Sequence, residues 1–224
     1  GLTIKYVDED GEELQTATGR ELLYGGSYDL VTDNTIENAR VITVGTGSDE
    51  KQYVLDSIEG AVTGSNVTEA VTVTLVYSLD EDENEVPDKY QATVSYKVEG
   101  GTFKEAEGTD KTTVTQTYNM KKWDEASKTW VDDPKKLENI PTPEAGTGYD
   151  PASGAWVGEE PTNDTTVEDG KEYTYKYGLK NLGLTIKYVD EDGEELKTAT
   201  GQDLLYGGSY DLVTDNTIEN ARVI

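Results

Sequence analysis

The sequence predicts an all-β protein made of small modules in tandem, with at most one short helix in each module. Apolar and polar residues alternate in short segments such as Leu2–Val7 and Val71–Tyr77, which is the pattern of half-buried strands. The chain also has 15 Tyr and 3 Trp and is rich in Val and Thr, the residue types that strands favour. Residues 1–42 recur as residues 183–224 with 39 of 42 positions identical. A period of this length indicates a tandem array of modules rather than a solenoid of short units.

The two copies differ at three positions, where Gln15, Arg20 and Glu21 become Lys197, Gln202 and Asp203. The second copy has no counterpart of Thr43–Ser78. We therefore expect residues 183–224 to be an incomplete first half of a module that exposes unpaired strand edges. Two outcomes follow from this expectation: the segment is poorly ordered, or it takes the missing strands from residues 43–78 of another molecule in a domain swap. We also expect the whole protein to be longer than this chain.

The first module is predicted to span residues 1–80. Asp10-Gly11 favours a two-residue hairpin turn between strands at Leu2–Val7 and Glu12–Thr18. The connection that follows is expected to contain a single helical turn at Glu21–Tyr24. Further strands are predicted at Ser27–Thr32, Ala39–Val44 and Gln52–Leu55, with a closing strand that carries Val71, Val73, Leu75 and Tyr77 on one face.

Residues 81–89 are predicted to be an acidic linker, since the segment Leu79–Lys89 contains Pro87 and lacks apolar periodicity. We expect repulsion between its carboxylates to extend the chain.

A second β-rich module is predicted over residues 90–178. Alternation around Val94 and Tyr96 indicates its first strand, Lys121–Val131 a hairpin, and Lys171–Tyr177 its last strand. In the hairpin, Trp123 and Trp130 are expected to flank the turn.

The composition argues against several functions. A formal charge of −27 repels phosphate backbones and anionic lipids, so neither nucleic acid nor membrane insertion is expected. Cysteine and histidine are absent, which removes disulfides, thiolate nucleophiles and the commonest zinc ligands. The acidic surface is interpreted as a solvated one.

No catalytic, cofactor-binding or metal-binding residue is predicted, and the protein is not expected to be an enzyme. The chain lacks a nucleophile elbow and a phosphate-binding glycine loop, and no carboxylate pair is marked by an apolar pocket. Asp8, Asp10 and Glu12 have the alternate spacing of calcium ligands, but a plain hairpin turn is favoured there. Asp80–Glu85 is likewise interpreted as a solvated linker rather than a site for divalent cations.

The aromatic residues have two interpretations, core packing or flat surfaces for sugar stacking. Strand alternation favours the core for Tyr6, Tyr77, Tyr96 and Tyr175. We also expect Trp156 in the core. Tyr24 and Tyr149 lie near turns, and both interpretations stay open for them. A Lys–Asn isopeptide cross-link is not expected, because Lys5 lies on the polar side of its strand, with Asn34 and Asn38 in a loop.

One ordered series of motifs resembles the mucin-binding-protein (MucBP) repeat of Gram-positive surface adhesins. The series is LTIKYVDEDGEEL, then TG, then GGSYDL, then a closing VTVTLVY, within about residues 1–80 and again from residue 183. Residues 90–178 are more weakly similar to SHIRT-type or Listeria–Bacteroides-type stalk repeats. That similarity rests on VSYKV, GGT, GY with Trp156, and YTY at residues 94–98, 100–102, 148–149 and 173–175.

These resemblances imply compact β-grasp-like or sandwich-like modules in an elongated array. They also imply display outside the cell, on a bacterial surface, with anchoring to the cell wall through regions outside this segment. They imply a stalk that projects a distal binding region, with neighbouring repeats of the same chain as its partners. The alternative is that the MucBP-like module itself binds host mucin or another glycan, with affinity multiplied across copies.

Overall fold

The computed structural model describes residues 1–224. It confirms the all-β class, since 46% of the residues are in strands and 8% in helices, and every helix is short. The chain forms two compact units, which are described separately below. Unit 1 comprises Gly1–Thr93, Thr117–Lys136 and Thr166–Asp169, and unit 2 comprises Val94–Gln116, Leu137–Thr165 and Gly170–Ile224. The predicted boundaries of 1–80, 81–89, 90–178 and 183–224 stay predictions.

The first 80 residues supply seven strands and one α-helix. They are β1 (Leu2–Asp8), β2 (Glu13–Arg20), β3 (Gly26–Asp29), α1 (Thr35–Asn38), β4 (Val41–Val44), β5 (Lys51–Glu59), β6 (Thr63–Val67) and β7 (Val71–Leu79), with a 3-10 turn at Gly47–Asp49.

Unit 1 is built on a five-stranded sheet in the order β2-β1-β7-β5-β4. The central pair, β1 and β7, is parallel, from Leu2 opposite Val71 to Asp8 opposite Tyr77. Alternation in β1 and β7 sends one set of side chains into the core, so that Ile4, Val73, Leu75 and Tyr77 are completely buried. Strands β3 and β6 form a separate antiparallel pair.

The β1–β2 turn differs from the predicted two-residue loop. Only Gly11 has a positive φ, of 84°, and its N–H donates to the carbonyl of Asp8. The loop is therefore one residue longer, with glycine in the left-handed position that closes it. The Asp8 Oδ1 atom accepts hydrogen bonds from the N–H groups of Asp10 and Glu12, each at 2.9 Å.

The predicted helical turn at Glu21–Tyr24 is wrong. The helix of this module is α1, which begins after Asn34, a residue with φ of 60°. It buries Ile36 in the core, whereas Leu23 and Tyr24 are exposed at 70% and 85%. The same local sequence forms an equivalent helix at Thr217–Asn220, so local sequence determines where the helix forms.

Residues 88–176 supply the next eight strands. They are β8 (Gln91–Glu99), β9 (Gly101–Phe103), β10 (Thr113–Asn119), β11 (Lys121–Asp124), β12 (Thr129–Asp132), β13 (Pro143–Ala145), β14 (Ala155–Trp156) and β15 (Glu172–Lys176), with 3-10 turns at Asp88–Tyr90 and Pro151–Ser153. The predicted Lys121–Val131 hairpin is confirmed as β11–β12, with Trp123 directly opposite Trp130. This hairpin lies in unit 1.

Unit 2 has an aromatic core on a parallel strand pair. Residues 95–99 of β8 lie beside β15, with Tyr96 opposite Tyr173. Their rings stack at 5.7 Å, and Trp156 meets Tyr96 edge-on at 6.3 Å. Phe103 and Leu137 are buried as well.

The last segment repeats the local structure of the first copy. It comprises β16 (Leu184–Val189), β17 (Glu195–Gln202) and α2 (Thr217–Asn220). The β16–β17 hairpin forms a sheet of two strands only. None of the helices has the length or the apolar character needed to cross a membrane.

Candidate functional site

A cluster around Lys89, here called the Lys89 cluster, ties the end of the acidic segment to the first sheet within unit 1. The Lys89 ammonium contacts the Asp56 carboxylate at 2.5 Å and makes a second ion pair with Glu9. The Tyr90 hydroxyl donates to the other Asp56 oxygen at 2.6 Å. Asp56 is 9% exposed at its side chain, so these contacts are screened less than surface pairs are.

Ionisation equilibria in the Lys89 cluster follow from this burial. Desolvation lowers the pKa of Lys89, but hydrogen bonds to Asp56 and Glu9 outweigh that effect and raise the pKa above its ordinary value. Desolvation, together with the hydrogen bond to Asp56, raises the pKa of Tyr90 to about 12. Lys89 is therefore charged and Tyr90 neutral at physiological pH.

The β11–β12 hairpin, here called the tryptophan hairpin, packs on the first sheet within unit 1. Trp130 Nε1 donates to the Leu55 carbonyl at 2.9 Å, and Trp123 meets Trp130 edge-on at 5.7 Å. The Arg40 guanidinium lies 4.4 Å from the Trp123 ring centre and pairs with Glu125 at 3.2 Å. The contacts with Leu55 and Arg40 join residues 75 to 85 positions apart, so they hold the hairpin on residues 1–80.

The acidic segment 80–88 forms a compact loop instead of the expected extended chain. Asp80 is completely buried, and its carboxylate accepts from Gln52 Nε2 at 2.8 Å and from the N–H groups of Asn84 and Glu85. Asp88 accepts from the Glu81 N–H. Hydrogen bonding of these carboxylates holds the loop closed against their mutual repulsion. Its role as a linker stays a prediction.

The same loop contains the residues best placed to hold a metal ion. Carboxylate oxygens of Asp80, Asp82 and Asp88 lie within 4.8 Å of one another. Desolvation raises the pKa of Asp88, and the nearby charges of Asp82, Glu81 and Asp80 raise it further. Exposed acidic groups such as Asp82 are common without an ion, so the prediction of no metal-binding residue stays a prediction.

A second set of contacts, in unit 2, holds residues Leu204–Tyr206 in place. This segment is here called the corner. Asn181 Oδ1 accepts from the Leu204 N–H at 3.2 Å, and its Nδ2 donates to Asp203 at 2.6 Å. The Tyr206 N–H donates to the Lys180 carbonyl at 2.8 Å.

The Tyr206 ring lies directly over Gly148, where a Cβ atom would come within 2.2 Å of the ring. Gly148 has φ of 83°, so glycine is required there both by conformation and by space. Asp203 is one of the three residues that distinguish the second copy from the first.

The same corner is more exposed in the first copy. Leu23 and Tyr24 are 70% and 85% exposed, whereas their counterparts Leu205 and Tyr206 are 49% and 44% exposed. Tyr24 is thereby a surface residue. The corner is therefore partly covered in the second copy and exposed in the first.

A polar groove also opens beside β2. It is lined by Tyr6, Gln15, Thr18, Arg20, Asp33, Thr35 and Asn38. Arg20 pairs with Asp33 at 2.5 Å and also donates to the Thr35 hydroxyl. Because Gln15 and Arg20 become Lys197 and Gln202, the groove has a different set of side chains in the second copy.

The predicted core aromatics are confirmed at Tyr6, Tyr77 and Tyr96, which are buried. Tyr175 and Trp156 are half-buried and meet edge-on at 5.1 Å. Lys5 is exposed, as expected from its side of the strand, whereas an isopeptide cross-link needs a buried lysine.

Sequence reasoning missed the Lys89 cluster and the contact between Trp130 and Leu55. One signal was present, since Lys89 is the only cation in the run from Leu79 to Lys89. A single positive charge at the end of an acidic run is attracted to nearby carboxylates. No local signal identifies Leu55, because its contribution is a backbone carbonyl.

The strand-rich fold and the tandem copies define an all-β repeat protein. Residues 1–78 and 183–220, together more than half of the chain, match the MucBP domain. The chain belongs to the MucBP domain family, a family of surface repeat and binding domains that is not an enzyme family. It is accordingly an adhesin-type extracellular surface repeat of Gram-positive type. A comparison with curated proteins found no match.

Proposed function

We propose that this segment acts as an extended stalk of a cell-wall-associated adhesin and projects a distal binding region from the cell surface. A stalk must resist bending where its modules join. The observation that carries the proposal is the seating of the tryptophan hairpin, residues 121–132, on residues 1–80 through the Trp130–Leu55 hydrogen bond.

Several contacts supplement that hydrogen bond. The Lys89 cluster adds two ion pairs where the acidic loop ends, and Arg40 adds a cation–π contact with Trp123. A single neutral hydrogen bond contributes about 1 kcal/mol and a cation–π contact about 0.5–2 kcal/mol. Together these contacts favour one arrangement of the hairpin over many.

The seated corner at Leu204–Tyr206 supports the same proposal from unit 2. Its backbone hydrogen bonds to Lys180 and Asn181 leave the short join at 178–182 little freedom. We also propose that neighbouring repeats are the partners of these corners, that the parent protein is wall-anchored through other regions, and that residues 1–80, 90–178 and 183–224 are successive modules.

Distance measurement between two spin labels tests the stalk proposal. The chain has no cysteine, so Glu69→Cys and Asp132→Cys, both at exposed positions in unit 1, give two unique labels. We expect a narrow distance distribution. The pair Lys89→Ala and Trp130→Ala should widen it, while the matched control Lys122→Ala, on the exposed side of the hairpin, should leave it narrow.

A broad distribution in the otherwise unaltered chain contradicts the proposal. So does a distribution that stays narrow when Lys89 and Trp130 are both truncated, provided that circular dichroism shows the sheet intact.

A second candidate function is direct binding of mucin or another glycan. The groove beside β2 favours it, because hydroxyl, amide, arginine and tyrosine side chains line one concave surface. A glycan array probed with the whole chain, and with its Arg20→Gln variant, tests this candidate. Binding that weakens in the variant supports it, and no binding to any mucin-type glycan rejects it.

A further inference from the structure

The positions that differ between the two copies of the repeat lie close together along one strand. Gln15 and Arg20 both line the polar groove beside β2, and Glu21 directly follows that strand. The other residues that line this groove are the same in both copies. A ligand in the groove would therefore meet different side chains in the two copies at these two lining positions alone.

A bulge in β2 places both variable side chains in the same groove. The register of β1 against β2 shifts just before Tyr6, so that β2 carries one extra residue there. Gln15 and Arg20 are an odd number of residues apart, yet the extra residue lets both face the groove. The β16–β17 hairpin has its register shift at the equivalent place, so Lys197 and Gln202 occupy the same two positions in the second copy.

In the first copy, the cation of the groove is neutralised by its own neighbours. The Arg20 guanidinium pairs with the Asp33 carboxylate at 2.5 Å and also donates to the Thr35 hydroxyl. Gln15, at the other variable position, is uncharged. An anionic ligand would have to compete with Asp33 for the guanidinium, so this groove favours a ligand without charge.

In the second copy, the cation lies at the other variable position and has no carboxylate partner. Lys197 is exposed, and its ammonium lies 5.0 Å from the Tyr188 ring centre. A cation–π contact leaves the three N–H groups of an ammonium able to donate to a ligand. Because Gln202 cannot neutralise Asp215, that carboxylate repels an anion from its end of the groove and leaves the Lys197 end as the favourable one.

We propose that positions 15 and 20, which are 197 and 202 in the second copy, determine the charge of the glycan that the groove binds. With Gln15 and Arg20 the groove binds a neutral glycan. With Lys197 and Gln202 it binds an acidic glycan, whose carboxylate or sulfate accepts hydrogen bonds from the Lys197 ammonium. Hydroxyl and amide side chains common to both copies bind the uncharged part. This inference rests on the second candidate function, direct glycan binding by the groove.

The test titrates the whole chain with sialyllactose, an acidic trisaccharide, and with lactose, its neutral counterpart. Amide shifts of residues 197–202 and 15–20 in nuclear magnetic resonance report on the two grooves separately. We expect the second groove to bind sialyllactose at least about tenfold more tightly than lactose, since a hydrogen bond to a charged group contributes that factor or more. The first groove should show no such preference. Sulfated lactose shows whether carboxylate or sulfate is preferred, and either preference supports the proposal.

Variants with a matched loss of charge assign the preference to this position. Lys197→Gln should remove the preference for sialyllactose, whereas Lys187→Gln, which removes another exposed lysine of the same hairpin, should retain it. The double variant Gln15→Lys with Arg20→Gln should create the preference in the first copy, where β7 completes the sheet.

The outcomes separate this inference from the function on which it rests. Equal binding of both sugars at the two copies supports glycan binding by the groove but overturns the inference. If neither sugar binds at either copy, the inference is overturned, while the glycan array separately decides whether the chain binds glycans of other kinds. A preference that persists in Lys197→Gln, or that does not appear in the double variant, overturns the inference as well.

Discussion

Ile36 and Ile218 occupy the same position in two copies of one sequence, yet Ile36 is buried and Ile218 is half exposed. The local backbone is alike in the two copies, including the left-handed Asn that precedes each short helix. What differs is the presence of β5 and β7 beside the first copy. Local sequence therefore sets the conformation here, while burial, and with it most of the stability, depends on strands supplied from elsewhere in the chain.

Truncating the same isoleucine in each copy should give the largest difference in stability between the two copies. Ile4→Ala should destabilise unit 1 by about 2–5 kcal/mol, because the Ile4 side chain is completely buried in the core. Ile186→Ala should cost less than about 1 kcal/mol, because its surroundings are partly solvated. Denaturant titration followed by tryptophan fluorescence measures the first change, since Trp123 and Trp130 both lie in unit 1.

Local opening free energies from amide exchange in the β16–β17 hairpin measure the second change. Equal effects of Ile4→Ala and Ile186→Ala would show that the two copies are stabilised alike, which contradicts the comparison.

The corner at Leu204–Tyr206 and its counterpart in the first copy should differ less in stability than the two isoleucines do. In this case the second copy is the better covered one. Tyr206→Ala should weaken the contact with Gly148 by about 1 kcal/mol, in line with the apolar area that the half-covered ring buries. Tyr24→Ala should change stability by less than about 0.5 kcal/mol, because Tyr24 faces solvent. Exchange rates of the Leu182 and Tyr206 amides report the first result. Unchanged rates in Tyr206→Ala would show that the corner is not held by its ring.

The smallest effect concerns the ion pair that only the first copy has. Burial raises the pKa of Asp33, but hydrogen bonds from Thr35 and Arg20 outweigh it and hold the pKa below the ordinary value. The ionised carboxylate therefore stabilises the fold at pH values above its ordinary pKa. This contribution is lost as the pH falls through the folded-state pKa.

Arg20→Gln, which copies the second repeat, should move the pKa of Asp33 back toward its ordinary value. The free energy of unfolding of this variant should be lower by about 0.2–1 kcal/mol at neutral pH, since the ion pair is partly exposed. Carbon-detected titration of the Asp33 carboxyl measures the pKa, and Gln202→Arg is the matched gain-of-pair control. A pKa that does not move on Arg20→Gln contradicts the assignment.

The sequence predicted the elements that alternate clearly. Strands around Ile4, Leu75 and Tyr96 lie where alternation placed them, and the hairpin between Trp123 and Trp130 has the expected pairing. In these segments local propensity and tertiary burial agree.

The sequence did not predict the features that depend on distant partners. Strand β6, at Thr63–Val67, contains Gly64 and Asn66 and is held by pairing with β3. The acidic loop is held by the hydrogen bond that the Gln52 side-chain amide donates to the Asp80 carboxylate. Of the candidate docking contacts, Trp130 was foreseen as an aromatic of the hairpin, but its acceptor at Leu55 lies 75 residues away.

Hydrogen exchange of individual amides in β1 and β16, resolved by nuclear magnetic resonance, tests the central claim most directly. The two strands have the same sequence, so their intrinsic exchange rates are equal and the measured ratio reports local stability alone. We predict that amides of residues 3–7 exchange at least about a hundredfold more slowly than those of residues 185–189, because β7 covers only the first set. Equal rates in the two strands would contradict the account.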